Sequence, residues 1–116
     1  MQLWEIRDIL DAEILSGEEH LDREVHAACG SDLMSDVLAF VKNQSVLLTG
    51  LLNPQVVRTA EMMDMCCIVM VRGKMPDENL INLAGDNDIV LMTTKHPMYS
   101  ACGRLYSKGL YQREVV

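Results

Sequence analysis

Three short loops of this chain carry the residue types that hold an anion. They read Thr49-Gly50-Leu51-Leu52-Asn53, Arg72-Gly73-Lys74-Met75 and Thr93-Thr94-Lys95-His96. Each follows an apolar run and precedes a proline: Pro54, Pro76 or Pro97. A helix start offers unpaired N–H groups and a partial positive charge. Gly50 and Gly73 let a ligand approach the backbone closely. Arg72, Lys74 and Lys95 add three of the chain's ten basic residues. The chemistry that fits is capture of a small anion, such as a nucleotide or a phosphorylated metabolite. The candidate ligand-binding residues are therefore Gly50, Asn53, Arg72, Gly73, Lys74, Thr94 and Lys95. Cys29-Gly30-Ser31-Asp32 forms a similar, earlier junction. The competing reading is plain: glycine makes the turn and lysine is solvated, as in any α/β domain.

Other chemistries lack their residues. There is no G-x-x-x-x-G-K-[ST] loop, no G-x-S-x-G elbow and no H-E-x-x-H pair, so the NTPase, hydrolase and metalloprotease arrangements are not available. His20, His26 and His96 share no metal-ligand spacing, and no C-x-x-C pair exists to anchor zinc. His96 lies on the same rim and could contact a ligand, but a histidine before a helix-opening proline is more often a turn residue, and His96 reads as one. The nine methionines and four cysteines read as adaptable filler in a core poor in aromatics. Cys66 and Cys67, adjacent in a strand, are expected on opposite faces and not joined as a disulfide. No catalytic residue, metal site or cofactor is assigned.

The elements that position the loops follow from periodicity. Val46-Leu47-Leu48, Ile68-Val69-Met70 and Ile89-Val90-Leu91 each lead, eight residues on, to a proline. The unit is a strand, a tight loop and a helix opening on proline, whose missing N–H costs nothing there. Strands are expected over 46–49, 67–71 and 89–92, with helices over 54–63, 76–84 and 97–108. Gly85 and Gly109 are the stop signals of the last two helices. Continuous apolar strands suit a parallel sheet covered on both faces. Upstream, helical spacing of Leu3, Ile6, Ile9 and Leu10 predicts a helix over 2–10. Strands are expected over 12–15 and 24–28, around a charged loop over 17–23. Ser31 or Asp32 then caps a helix whose inner face is Leu33, Val37, Leu38 and Val41, closed by Lys42-Asn43-Gln44. Residues 110–116 read as a tail or a short edge strand. The fold expected is a single three-layer α/β/α domain over residues 1–116, with a largely parallel or mixed sheet.

Charge narrows the partners. The 116 residues carry a net charge of −7, and residues 1–24 hold eight of the 17 acids against Arg7 and Arg23. The βα body is nearly neutral, and no basic field exists to hold nucleic acid. No apolar run approaches the roughly 20 residues that span a bilayer. The amphipathic Met1–Arg7 segment has no secretory core, so a cytoplasmic location is expected. A domain this small buries a limited share of its surface, which makes a homodimer plausible.

The chain also resembles the DRTGG-domain family, over nearly its whole length. The similarity lies in Glu24-Val25-His26-Ala27-Ala28, in the stretch from Ala28 to Leu38, and in Leu47-Leu48-Thr49-Gly50. It continues through Ile68-Val69-Met70-Val71-Arg72-Gly73 with Pro76, and Ile89-Val90-Leu91-Met92. The family's Gly-Asp-Arg falls on Gly50-Leu51-Leu52, and its Thr-Gly-Gly on Val71-Arg72-Gly73. The resemblance implies a fold like the amino-terminal domain of HPr kinase/phosphorylase. It also implies a non-catalytic regulatory or ligand-sensing role, alone or toward a partner enzyme. The alternative is a structural interaction subunit acting as a homodimer without a small-molecule ligand. A small enzyme would need a polar catalytic cluster that these residues do not assemble.

Overall fold

The computed structural model describes residues 1–39 and 44–112. In chain order its elements are α1 (Leu3–Leu10), β1 (Glu13–Ser16), β2 (Ala27–Gly30), α2 (Met34–Leu38), β3 (Ser45–Thr49) and α3 (Gln55–Met62). Then come β4 (Met65–Met70), α4 (Glu78–Asp86), β5 (Val90–Thr93) and α5 (Met98–Ser107). The strands form one sheet in the order β1-β5-β4-β3-β2. β2, β3, β4 and β5 are parallel, and β1 joins β5 antiparallel at one edge. The sheet is therefore mixed, as the sequence allowed.

Alternation along the central strands feeds two cores. Leu47, Ile68, Met70 and Leu91 face α2, α3 and α4. Val46, Leu48, Val69, Val90 and Met92 face α1 and α5. Both faces are thus covered, which is why strands 45–49 and 67–70 are buried at every position. One alternation breaks. Val46 pairs with Cys67 although Ser45 pairs with Met65, so Cys66 is an extra residue in β4. Cys66 and Cys67 consequently pack against the same core rather than opposite ones. All four cysteines are free thiols.

Several boundaries differ from expectation, each for a local reason. The second strand begins at Ala27 rather than Glu24. Residues 24–25 instead bind the amino terminus: Glu24 bridges Gln2, and the Val25 N–H donates to the Met1 carbonyl at 2.7 Å. Pro54 and Pro97 do open α3 and α5, but Pro76 lies outside α4. Asp77 captures that start, because its carboxylate accepts the Leu80 N–H at 2.9 Å. Gly85 lies inside α4, and the helix runs on to Asp86. Gly109 does end α5, at φ 96. In α2 the buried residues are Met34 and Val37, while Leu33 and Leu38 are exposed. Val41, Lys42 and Asn43 lie outside the described residues, as does the tail beyond Gln112. Tyr111 does reach the sheet edge, where its carbonyl accepts the Ala28 N–H at 2.7 Å.

Candidate functional site

Because β3, β4 and β5 run parallel, the loops after them share one edge of the sheet. Backbone hydrogen bonds tie them together. The Val71 N–H donates to the Thr49 carbonyl at 3.0 Å, the Arg72 N–H to His96 at 2.9 Å and the Gly73 N–H to Thr94 at 2.9 Å. Arg72 and Gly73 both have positive φ, 62° and 69°. With the Lys74 N–H returning to the Val71 carbonyl at 3.2 Å, they form a tight turn of the type that needs such angles.

The seven sequence-selected residues divide into two places. Gly73, Thr94 and Lys95 line a pocket of about 420 Å³, together with Leu10, Asp11, Glu13, Met75, Thr93 and His96. This volume lies within the range of small-molecule sites. The antiparallel β1 edge builds its far wall. The buried Thr94 hydroxyl donates to the Leu10 carbonyl at 2.7 Å, which fixes the end of α1 against β5. Thr93 likewise donates to the Lys74 carbonyl at 2.7 Å. Asp11 and Glu13 line the same pocket as Lys95, so it carries charge of both signs.

Gly50 and Arg72 stand apart from it, in a second cluster. The Asp32 carboxylate accepts the Gly50 N–H at 2.6 Å and the Thr49 hydroxyl at 3.3 Å. Its other oxygen meets both terminal nitrogens of Arg72 at 3.4 Å. The guanidinium lies over Gly50, where any Cβ would collide with it. Asn53 serves α3, accepting the Gln55 N–H at 2.9 Å. Lys74 is exposed and does not line the pocket. Asp32 therefore does not cap α2; Leu33 occupies that position.

Asp32, Asp11, Glu13 and His96 were not selected from sequence. In sequence Asp32 reads as a helix cap; Asp11 is the C-cap of α1, and Glu13 lies in β1, whose partner strand is set only by tertiary packing. Burial pushes the Cys29, Cys66, Cys67 and Cys102 thiols above their usual range, toward the neutral thiol rather than the reactive thiolate. Among the described residues, no group of three or more His, Cys, Asp or Glu side chains could hold a metal ion. Among the same residues, no helix is long and apolar enough to cross a membrane.

The Gly50 N–H, aided by the Arg72 charge, holds the Asp32 carboxyl below the usual carboxylate range against a smaller opposing effect of burial. A carboxyl lowered in the folded state stabilises the fold above its unfolded value of about 3.9. That contribution disappears as pH falls through the lower folded value. Unfolding free energies measured from roughly pH 6 down to pH 2 should therefore fall more for the wild type than for Asp32→Asn. The difference is small, because both side chains are nearly half exposed. A gap between the two proteins that does not vary with pH would remove this role.

Comparison with known proteins gives three findings. The model of a protein family described as the DRTGG domain matches residues 5–107. No curated protein matches. Among solved structures, the chain is similar to the CBS and DRTGG domains of the regulatory region of Clostridium perfringens pyrophosphatase. That crystal structure holds the activator diadenosine tetraphosphate. The TM-score is 0.73 at 23% identity, over 96% of this chain and 48% of the other. The chain thus spans about half of that regulatory region, and at this identity the likeness is one of fold.

Proposed function

The chain belongs to the DRTGG domain family, and from that premise we propose that it is a non-catalytic, ligand-sensing regulatory module. Its ligand is a small anion, a nucleotide or a phosphorylated metabolite, bound at the loop edge of the sheet. The observation that carries this reading is the pocket of about 420 Å³ between the β4–α4 turn, the β5–α5 loop and the end of α1. Lys95 supplies its cationic charge, His96 adds an imidazole that can hydrogen-bond, and Gly73 leaves the backbone bare. Met75, 54% exposed, adds apolar surface suited to a base or carbon skeleton, while Asp11 and Glu13 can accept N–H or O–H groups. The polyanionic nucleotide bound by the Clostridium perfringens regulatory region supports the ligand class. A role toward a partner enzyme is the counterpart of that region's place in a pyrophosphatase.

A thermal-shift series of nucleotides and phosphorylated metabolites tests the reading. A ligand present at 100 times its dissociation constant stabilises the fold by about 2.7 kcal/mol. At this chain length that raises the midpoint by roughly 10 °C. Lys95→Ala should weaken the shift, and Tyr99→Ala, at an exposed position outside the pocket, should leave it intact. If no compound in the series moves the melting curve, the pocket is not an anion site.

A further inference from the structure

The Asp32–Arg72 cluster has a geometry that the pocket reading does not use. Three loops converge there, one after each of β2, β3 and β4. Two of them present a backbone N–H, a hydroxyl and a guanidinium fork to the Asp32 carboxylate of the third. That donor set is the one that holds a phosphate oxygen. Here the anion is built into the chain. We propose that the Asp32–Arg72 clasp is an autoinhibitory contact, in which Asp32 occupies donors that an incoming phosphate-type anion must take from it. The proposal rests on the reading of this loop edge as a ligand-binding edge, and it adds a regulatory step to it.

Three observations carry the clasp. First, it is displaceable. The ion pair is 3.4 Å long, with side chains 42% and 48% exposed, and exposed pairs of this kind are weak. Second, Arg72 is held in a backbone conformation that disfavours it. At φ 62 a glycine or asparagine would be at ease, and an arginine is strained. What arginine adds is the guanidinium over Gly50, a position that only glycine leaves open. Third, the clasp is joined to the pocket. Arg72 and Gly73 are the central residues of one turn, whose N–H groups bond the His96 and Thr94 carbonyls on the pocket's other wall. Arg72 is thus a residue of both the clasp and the turn that shapes the pocket, and the proposed coupling between the two runs through that turn. Binding at either place then changes the other by the same factor.

The test uses inorganic pyrophosphate as probe, titrated by calorimetry, with amide spectra to check the fold. Asp32→Asn keeps the side-chain shape and removes the competing charge. It should bind pyrophosphate about tenfold more tightly than the wild type. Asp36→Asn removes an equal charge from an exposed α2 position outside the clasp, and should change affinity by less than about twofold. Arg72→Gly relieves the turn and must abolish the gain when combined with Asp32→Asn. Equal affinity in wild type and Asp32→Asn overturns the clasp, as does a gain that survives loss of Arg72. A nucleotide that stabilises both proteins equally would overturn the clasp and leave the pocket standing. A pyrophosphate gain in Asp32→Asn, with no nucleotide shift in the wild type, would support the clasp and overturn the free pocket.

Discussion

Gly17→Ala is expected to destabilise the fold by about 2–4 kcal/mol, through a left-handed backbone and a clash with a neighbouring strand. Gly17 follows β1 at φ 80. A Cβ there would lie 2.9 Å from Val90 Cγ2 and 3.0 Å from Val90 Cα. The second of these is backbone in β5, and it cannot rotate away. The strand would have to retreat, breaking the antiparallel ladder that pairs Glu13 with Thr93 and Ile14 with Met92. That ladder also carries Glu13 of the pocket, so ligand affinity should fall with stability. Gly85→Ala is the matched control. Gly85 lies inside α4 and lacks a positive φ, and a Cβ added there would meet no atom within 4 Å. Alanine there should stabilise by up to about 1 kcal/mol, since helical glycine is entropically costly. Urea unfolding of the two variants should show opposite signs. Equal and small effects would mean that β1 is not held as described.

The two glycines also show what sequence can and cannot reveal. Gly85 reads as a stop signal, because glycine after an apolar-periodic run usually is one. Asp77 sets the helix start, while at the other end Asn87 caps the helix and binds the Leu83 carbonyl at 2.8 Å, and Asp88 takes the positive φ of 56°. Helix existence was legible from the βα repeat; each helix end depended on its own local hydrogen bonds. The parallel core was legible for the same reason. Continuous apolar strands joined by single helices have few other solutions. The antiparallel edge was not, because the pairing of a four-residue strand is decided by Gly17 against Val90 and Thr94 against Leu10, contacts 73 and 84 residues apart.

The site was legible as an edge and illegible as a geometry. Gly50, Arg72, Gly73, Thr94 and Lys95 do lie on connected loops. Their division into a pocket and a clasp depends on Asp32, 18 residues from Gly50 and 40 from Arg72. In sequence, Asp32 looks like a local cap, since capping is the commonest use of aspartate before a helix. The family's Asp and Arg are missing from the positions after Gly50, where Leu51 and Leu52 stand. In space, a carboxylate and a guanidinium return beside Gly50 from two other loops. Loss of signature residues in a linear alignment therefore does not measure loss of polar groups at the edge.

Ile68→Ala is expected to cost about 3–4 kcal/mol, against about 1 kcal/mol for Ile68→Val. Ile68 is fully buried at the middle of β4, paired with Leu47 on one side and Leu91 on the other. All three face the core beneath α2, α3 and α4. Removal of three carbons leaves a void, and its walls stand on strands hydrogen-bonded on both edges. They cannot close over it, so the cavity cost adds to the lost transfer energy. A fold of this size has roughly 5–15 kcal/mol in total, so the alanine variant surrenders a large part of its stability. The midpoint should drop by more than 10 °C, roughly, with an unchanged urea m-value. The loss should not depend on pH, because no titrating group is involved. Nucleotide stabilisation should remain at its wild-type size, since the pocket lies at the strand ends and Ile68 lies two residues before Met70, the end of its strand. A loss below about 1.5 kcal/mol would mean that α3 or α4 can shift to fill the space. Parallel strands locked on both sides would then be a less rigid base for the loop edge than the ladder implies.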